Sequence, residues 1–271
     1  MARSGPLGYG LDMPNFTHVD TACALYQVAG WRLLTDPVFD PPGRRYHFGW
    51  GALSRKTGTP GLTPEAVGPV DAILLSHHQH GDNLDTAGAT FTRAAPLVLT
   101  TKAASRTLAN ARGLAPWEAH VLSAPGRPQL RITATPAQHH PAWLPGFISG
   151  PVVGFLLESA ALRLGPIYMT GDTVLFEGVR QVARRHAVDT LVIHVGAVRF
   201  PWLSGPARYT FDAREAVEVA RLTRPRQIIP VHTGGWTHFH EGPDELRRAF
   251  AEAGLANRLR FPEAGKRIEL G

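Results

Sequence analysis

The stretch SHHQHGDNLD, residues 76–85, sets His77, His78 and His80 beside Asp82 and Asn83, directly after the apolar run Ala72–Leu75. Imidazole nitrogens and carboxylates at this density are the donor set of Zn, Mn or Fe. In an extended loop His78, His80 and Asp82 alternate and point to one side. If the loop bulges by one residue, His77 replaces His78 as the first ligand. Gly81 lets the segment turn tightly. Packing explains single histidines well. It does not explain three in four positions next to an aspartate. Ions held here would lower the pKa of a water to near 7 and polarise a carbonyl or phosphoryl oxygen, with Asp82 or Asp172 orienting the nucleophile and taking a proton.

Such a site needs elements that bring distant donors together. Short apolar runs bounded by Gly, Pro, Asp or Thr predict strands over 24–28, 31–34, 72–75, 97–100, 129–134, 152–157, 167–169, 190–193 and 227–231. Four of them run straight into a His or Asp and a turn-former: 72–75 into the opening motif, 129–134 into TPAQHH with His139, 167–169 into TGDT with Asp172, and 227–231 into HTGG with His232. Ligands of α/β sheets collect beyond the carboxyl ends of strands, so these donors are expected to converge at one rim. Helices are predicted from the capping pattern Asp212-Ala-Arg-Glu215, from Pro243 to a stop at Gly254, and over 102–112 and 177–186. Residues 41–69 read as a long surface loop. The segment HPAWLPGFISGP, within 140–151, reads as a flap or rim over the site.

The chain has 271 residues, 44% hydrophobic and 18% charged, enough for a sizeable core and unlike a disordered chain. No apolar stretch is long enough for a membrane span, and residues 1–16 lack the apolar core of a signal peptide. Cys23 is the sole cysteine, which excludes an internal disulfide and fits a cytoplasmic setting. The net charge is +6, but its arginines are scattered without a basic run, so nucleic acid is not the expected partner. The expected partner is a small-molecule substrate. Oligomeric state is not legible.

Taken in order, SHHQHGDNLD, TPAQHH, YMTGDT and IPVHTGGWTHF resemble the ligand motifs of the metallo-β-lactamase superfamily, and LLTDPVF (residues 33–39) resembles the Thr-Asp-Pro segment of its UlaG-like and N-acyl-phosphatidylethanolamine phospholipase D-like branches. The resemblance implies a single domain over 1–271 with the four-layer αββα sandwich. It also implies a metal-dependent hydrolase of an ester, lactone, amide or phosphodiester, lactonase-like chemistry among them. One or two divalent ions, zinc above Mn or Fe, would be held by His77 or His78, His80 and His139, and by Asp82 and His232, with Asp172 bridging. Asn83 stands where the family motif has a histidine of the second metal. A nuclease of the same fold and a non-hydrolytic metal-binding module are the alternatives.

Further candidates surround these. Asp36, before Pro37, can hold a metal histidine. His194 ends another apolar strand. Arg199, Tyr209 and His238 can meet an anionic or carbonyl group. Trp143, Phe147, Trp202 and Trp236 can wall an apolar pocket.

Overall fold

Strand alternation decides the layers. Neighbouring residues of a strand point to opposite faces, so a continuously apolar strand must be covered twice. In Trp31–Thr35, Leu33 joins one core and Leu34 another. Leu157 and Leu156 divide in the same way, as do Val192 and Leu191, and Ile229 and Ile228. The computed structural model, which describes residues 13–162 and 165–271, resolves this demand as two sheets packed face to face with helices outside both.

The first sheet runs Arg267–Glu269, Asn15–Asp20, Cys23–Val28, Trp31–Thr35, Ala72–Leu74, Val98–Thr101, Ala111–Leu114. The second runs Gln227–Val231, Thr190–His194, Ile167–Met169, Val153–Glu158, Arg127–Pro136, Ala119–Ala124. Between them lie Phe16, Tyr26, Leu33, Leu74 and Leu99 against Ile132, Phe155, Leu157, Met169 and Ile229. Each such side chain contributes on the order of 1.5–3 kcal/mol by leaving water. Helices Glu177–Arg185, Ala213–Thr223 and Pro243–Glu252 cover the outer face of the second sheet through Val182, Val217, Leu246 and Phe250. Helices Pro64–Val67 and Thr86–Ala94 cover the first. This is the αββα architecture. Pro230 is tolerated in Gln227–Val231 because that strand is the sheet's outermost.

Two expectations need correction. Residues 102–112 are not a helix. They hold a single turn, Ala104–Arg106, and then the strand Ala111–Leu114, which pairs in parallel with Val98–Thr101. The crossover is too short for more. Residues 41–69 are not one loop, since they contain the hairpin Arg45–His47 and Leu53–Arg55 and the helix Pro64–Val67. Unforeseen was the helix Thr86–Ala94, which holds three threonines and Gly88. Asp85 caps it, its carboxylate accepting from Gly88 N (2.7 Å), Phe39 N (2.7 Å) and Asp40 N (2.5 Å). Gly88 lets this helix touch the loop after Trp31–Thr35, because a Cβ there would sit 1.8 Å from the Pro37 carbonyl oxygen. Most of the segment read for a signal peptide, residues 1–12, lies outside the described residues. Among the described residues no helix is long and apolar enough to cross a membrane.

The topology turns carboxyl ends toward one rim. Trp31–Thr35, Ala72–Leu74 and Val98–Thr101 are parallel, as are Ile167–Met169, Thr190–His194 and Gln227–Val231. Arg127–Pro136, two antiparallel steps from Ile167–Met169, shares the second group's direction.

Candidate metal centre

Three imidazoles meet where these ends converge. His77 Nε2 lies 3.0 Å from His80 Nδ1, and His139 Nε2 lies 3.1 Å from the same atom. Tetrahedral ligands about 2.0–2.1 Å from a zinc ion stand at a similar separation. His139 Nδ1–H donates to the Tyr209 carbonyl (2.7 Å), which leaves Nε2 as the lone-pair nitrogen of the neutral ring. Ser76 Oγ meets His77 Nδ1 at 2.9 Å. Burial, reinforced by the neighbouring rings, pushes His77 well below the usual histidine range and His80 down to about 3. Burial, partly opposed by the Tyr209 carbonyl and Asp82, pushes His139 down to about 4. All three are therefore neutral at physiological pH, with lone pairs free to meet a cation.

A second cluster adjoins the first. Asp82, Asp172 and His232 are buried, with one ligand atom of each converging. His232 Nε2 is 3.3 Å from Asp82 Oδ2 and 3.5 Å from Asp172 Oδ2. Its Nδ1–H donates to the Val195 carbonyl (2.9 Å), so the neutral ring would aim a lone pair at two carboxylates. That arrangement calls for a cation. Burial alone would lower the His232 pKa, but Asp172 and Asp82 together lift it to about 9. Asp172 Oδ2 is also 4.0 Å from both His77 Nε2 and His139 Nε2, between the clusters, and Asp172 Oδ1 is buried without a hydrogen-bond partner among the described residues. Two carboxylates, convergent lone pairs and an orphaned oxygen fit a pair of divalent cations.

The backbone is bent to make these contacts. His232 is left-handed (φ 60°), anchored by its N–H donating to the Thr21 carbonyl (2.7 Å). Asp36 is also left-handed (φ 36°), and its Oδ1 accepts from Ser76 N (2.7 Å). Each such residue costs about 1–2 kcal/mol, and strain of this kind clusters at functional sites. Asp36 Oδ2 lies 3.6 Å from His194 Nε2 below the clusters, where burial raises its pKa despite that imidazole. Gly171 (φ 64°) turns the chain from Ile167–Met169 so that Asp172 enters the site.

The remaining candidates separate. His78 stands outside both clusters, a correction to the alternating reading. The loop bends at 78–80 instead of staying extended, so residues three apart, His77 and His80, share a side. Asn83 is fully buried between the acids. With its amide turned to suit two acceptors, it donates to Asp172 Oδ2 (3.2 Å) and Asp82 Oδ1 (3.1 Å). The imidazole near that position comes from elsewhere. His238 Nε2 is 3.0 Å from Asp82 Oδ2, and its Nδ1 meets Ser54 Oγ of the hairpin that had read as loop. Burial would raise the Asp82 pKa, but His232 and His238 hold it well below the carboxylate range.

Tyr209 lines the cavity above the clusters, whereas Arg199 faces a neighbouring hollow beside Glu215. Trp236 is not a pocket wall. It packs under Phe48 and donates Nε1–H to Thr21 Oγ1 (3.1 Å). Trp143 lines the cavity, Phe147 packs against Trp50 with tilted rings, and Trp202 is wholly exposed. Phe48, Ile148 and Phe200 also line it. Their types alone gave no signal, because apolar residues in loops read equally as core.

An αββα sandwich with His and Asp donors gathered at one rim defines the metallo-β-lactamase class of fold. Residues 31–233 match the family described as the Beta-lactamase superfamily domain, and the chain belongs to that family. A "UPF0173 metal-dependent hydrolase" of Pelotomaculum thermopropionicum is 24% identical over 219 residues, covering 79% of this chain and 89% of the relative. Among solved structures, an isothiocyanate hydrolase from Delia radicum gut bacteria superposes with a TM-score of 0.77 at 22% identity, covering 94% and 98% of the two chains. A possible metal-dependent hydrolase from Veillonella parvula gives 0.79 at 17% identity, covering 95% and 100%. These two likenesses establish the fold. At this grain the protein is a metal-dependent hydrolase of the metallo-β-lactamase family.

Proposed function

We propose that the chain hydrolyses an ester, lactone or amide of a small molecule with two divalent ions, zinc foremost, one among His77, His80 and His139 and one among Asp82 and His232, with Asp172 shared. When bound, such ions lower the pKa of a water from about 15.7 to near 7 and polarise a carbonyl oxygen. The chain's own groups do the rest. Tyr209 and Val195 carbonyls fix the tautomers of His139 and His232. Asn83 holds the two acids in register, and His238 orients Asp82 and keeps it ionised. Asp82, on the cavity wall, or Asp172 Oδ1, without a hydrogen-bond partner among the described residues, would orient a water and take its proton.

The observation that carries this reading is the pair of adjoining donor clusters, with His80, Asp82 and His139 on the wall of an open cavity. The basic side chain that a phosphodiester would favour is not among the described residues that line the cavity. The test is to strip the protein with chelator, reload it with Zn, Mn or Fe(II), and assay 4-nitrophenyl esters, lactones and bis(4-nitrophenyl) phosphate. Metal-restored turnover of esters or lactones above the phosphate is expected. Turnover of the phosphate alone, or of nothing by any loaded form, refutes the proposal.

A further inference from the structure

Resting on the hydrolase reading, we infer that the substrate is an acyl compound whose non-reacting end is uncharged, an alkyl or aryl group seated in the cavity over the metal clusters. The cavity holds about 460 Å³, within the range of small-molecule sites. Its walls are Phe48, Trp143, Leu144, Ile148, Phe200 and Leu203. The chain carries 28 lysines and arginines and a net charge of +6, yet among the described residues none of them lines this space. A carboxylate or phosphate at the far end of a substrate would lose its hydration there without a partner, at considerable cost. Beyond the His and Asp donors, the polar side chains on the wall are Tyr209, Ser149 and Ser204. Ser204 Oγ is spent on the Phe200 carbonyl (3.3 Å), and Ser149 Oγ is buried without a partner among the described residues, so Tyr209 and Ser149 are available to polar atoms but neither supplies a positive charge.

A second observation agrees. Large apolar side chains left in water gather at the mouth: Trp50 is 68% exposed, Trp143 63% and Leu203 54%, and Phe147 packs on Trp50 with ring centroids 5.9 Å apart. They come from three separate segments, the tip of the hairpin, residues 141–151 and the short helix Pro201–Ser204. One greasy loop can be local composition. Convergence of three around a single opening marks a surface kept apolar for a ligand.

The experiment is calorimetric titration of the zinc-loaded protein with acetate, hexanoate and adipate. All three offer a carboxylate to the metals. Only the far end differs: absent, methyl or charged. Hexanoate is expected to bind at least about tenfold tighter than either of the others, since each buried methylene is worth roughly fourfold. Leu203→Asn, neutral and at a half-exposed position on the wall, should lower hexanoate affinity at least about fourfold more than acetate affinity. Trp143→Ala should act in the same direction. Adipate binding as tightly as hexanoate, or hexanoate no tighter than acetate, overturns the inference. The two readings fail separately. Hexanoate selectivity without hydrolysis of 4-nitrophenyl hexanoate sinks the hydrolase reading and leaves the pocket assignment. Turnover of 4-nitrophenyl acetate with no preference for the hexanoyl ester does the reverse.

Discussion

Lys56 is fully buried, and its ammonium pairs with Asp20 at the turn whose Thr21 carbonyl anchors His232. Thr57 N and Gly58 N donate to the Gly235 carbonyl (2.8 and 3.0 Å), and His232 N donates to the Thr21 carbonyl (2.7 Å). The pair therefore clamps the hairpin segment, the turn at Asp20–Thr21 and the loop of the last histidine into one unit. Lys56→Met keeps the volume and removes the charge, leaving Asp20, 6% exposed, as a buried carboxylate without its counter-ion. Breaking one side of such a pair costs about 3–5 kcal/mol. The remaining bond from Thr21 Oγ1 (3.1 Å) offsets about 1. A net loss of roughly 2–4 kcal/mol should lower Tm on the order of 5–10 °C in a chain of this size. Asp20→Asn with Lys56→Met should recover most of it, since removing both charges spares the desolvation cost. Thermal circular dichroism on chelator-stripped protein isolates folding from metal binding. In the zinc-loaded protein, the single variant should release the more weakly held ion sooner. If Lys56→Met melts within about 2 °C of the parent, or the double variant is no better than the single, the clamp is wrong.

Other consequences are as specific. His77→Ala should abolish tight metal binding and His78→Ala should retain it, as measured by metal content after gel filtration; the opposite pattern restores the alternating register. Gly88→Ala must displace the Pro37 carbonyl, 1.8 Å from the added carbon, and should cost about 1–3 kcal/mol in urea unfolding, whereas a loss under about 0.5 would show that helix and loop part easily. Metal-free protein should lose stability as pH falls below about 6.5, because the unfolded chain takes up protons on histidines that the fold keeps neutral down to about 4 at His139 and about 3 at His80. Each contributes roughly 1.4 kcal/mol per pH unit in that window. His232, lifted to about 9, adds no slope there because it is protonated in both states, and its stabilisation fades instead as pH rises through 9. A urea midpoint that does not change between pH 6.5 and 4.5 contradicts this.

Much of the architecture was legible because parallel strands buried on both faces spell continuous Val, Ile and Leu, and because each donor follows such a run. The rim followed from that repetition. The register of the opening motif did not, because alternation assumes an extended loop and the chain bends at 78–80. The helix Thr86–Ala94 was hidden by Thr and Gly residues of low helix propensity, which Asp85 offsets with its cap and its ties to Phe39 and Asp40. Residues 102–112 carry enough Ala, Leu and Lys to suggest a helix, and the pairing of Ala111–Leu114 with Val98–Thr101 overrides that preference. The part played by His238 depends on Ser54 and Phe48 in a hairpin that looks like loop, since its strands are three residues each and mostly exposed.

The central claim, two adjoining ion sites sharing Asp172, is tested most directly by metal content measured by mass spectrometry on the parent and on Asp172→Ala, each reloaded with zinc and then dialysed. The parent should approach two ions per chain and lose one more readily, because the first cluster offers three imidazoles and the second only His232 beside its acids. Asp172→Ala should weaken retention of both ions by at least about tenfold, with an unchanged circular dichroism spectrum and with His186→Ala, at the C-terminal end of the helix Glu177–Arg185 and in neither cluster, behaving like the parent. Full zinc content in Asp172→Ala would contradict the account.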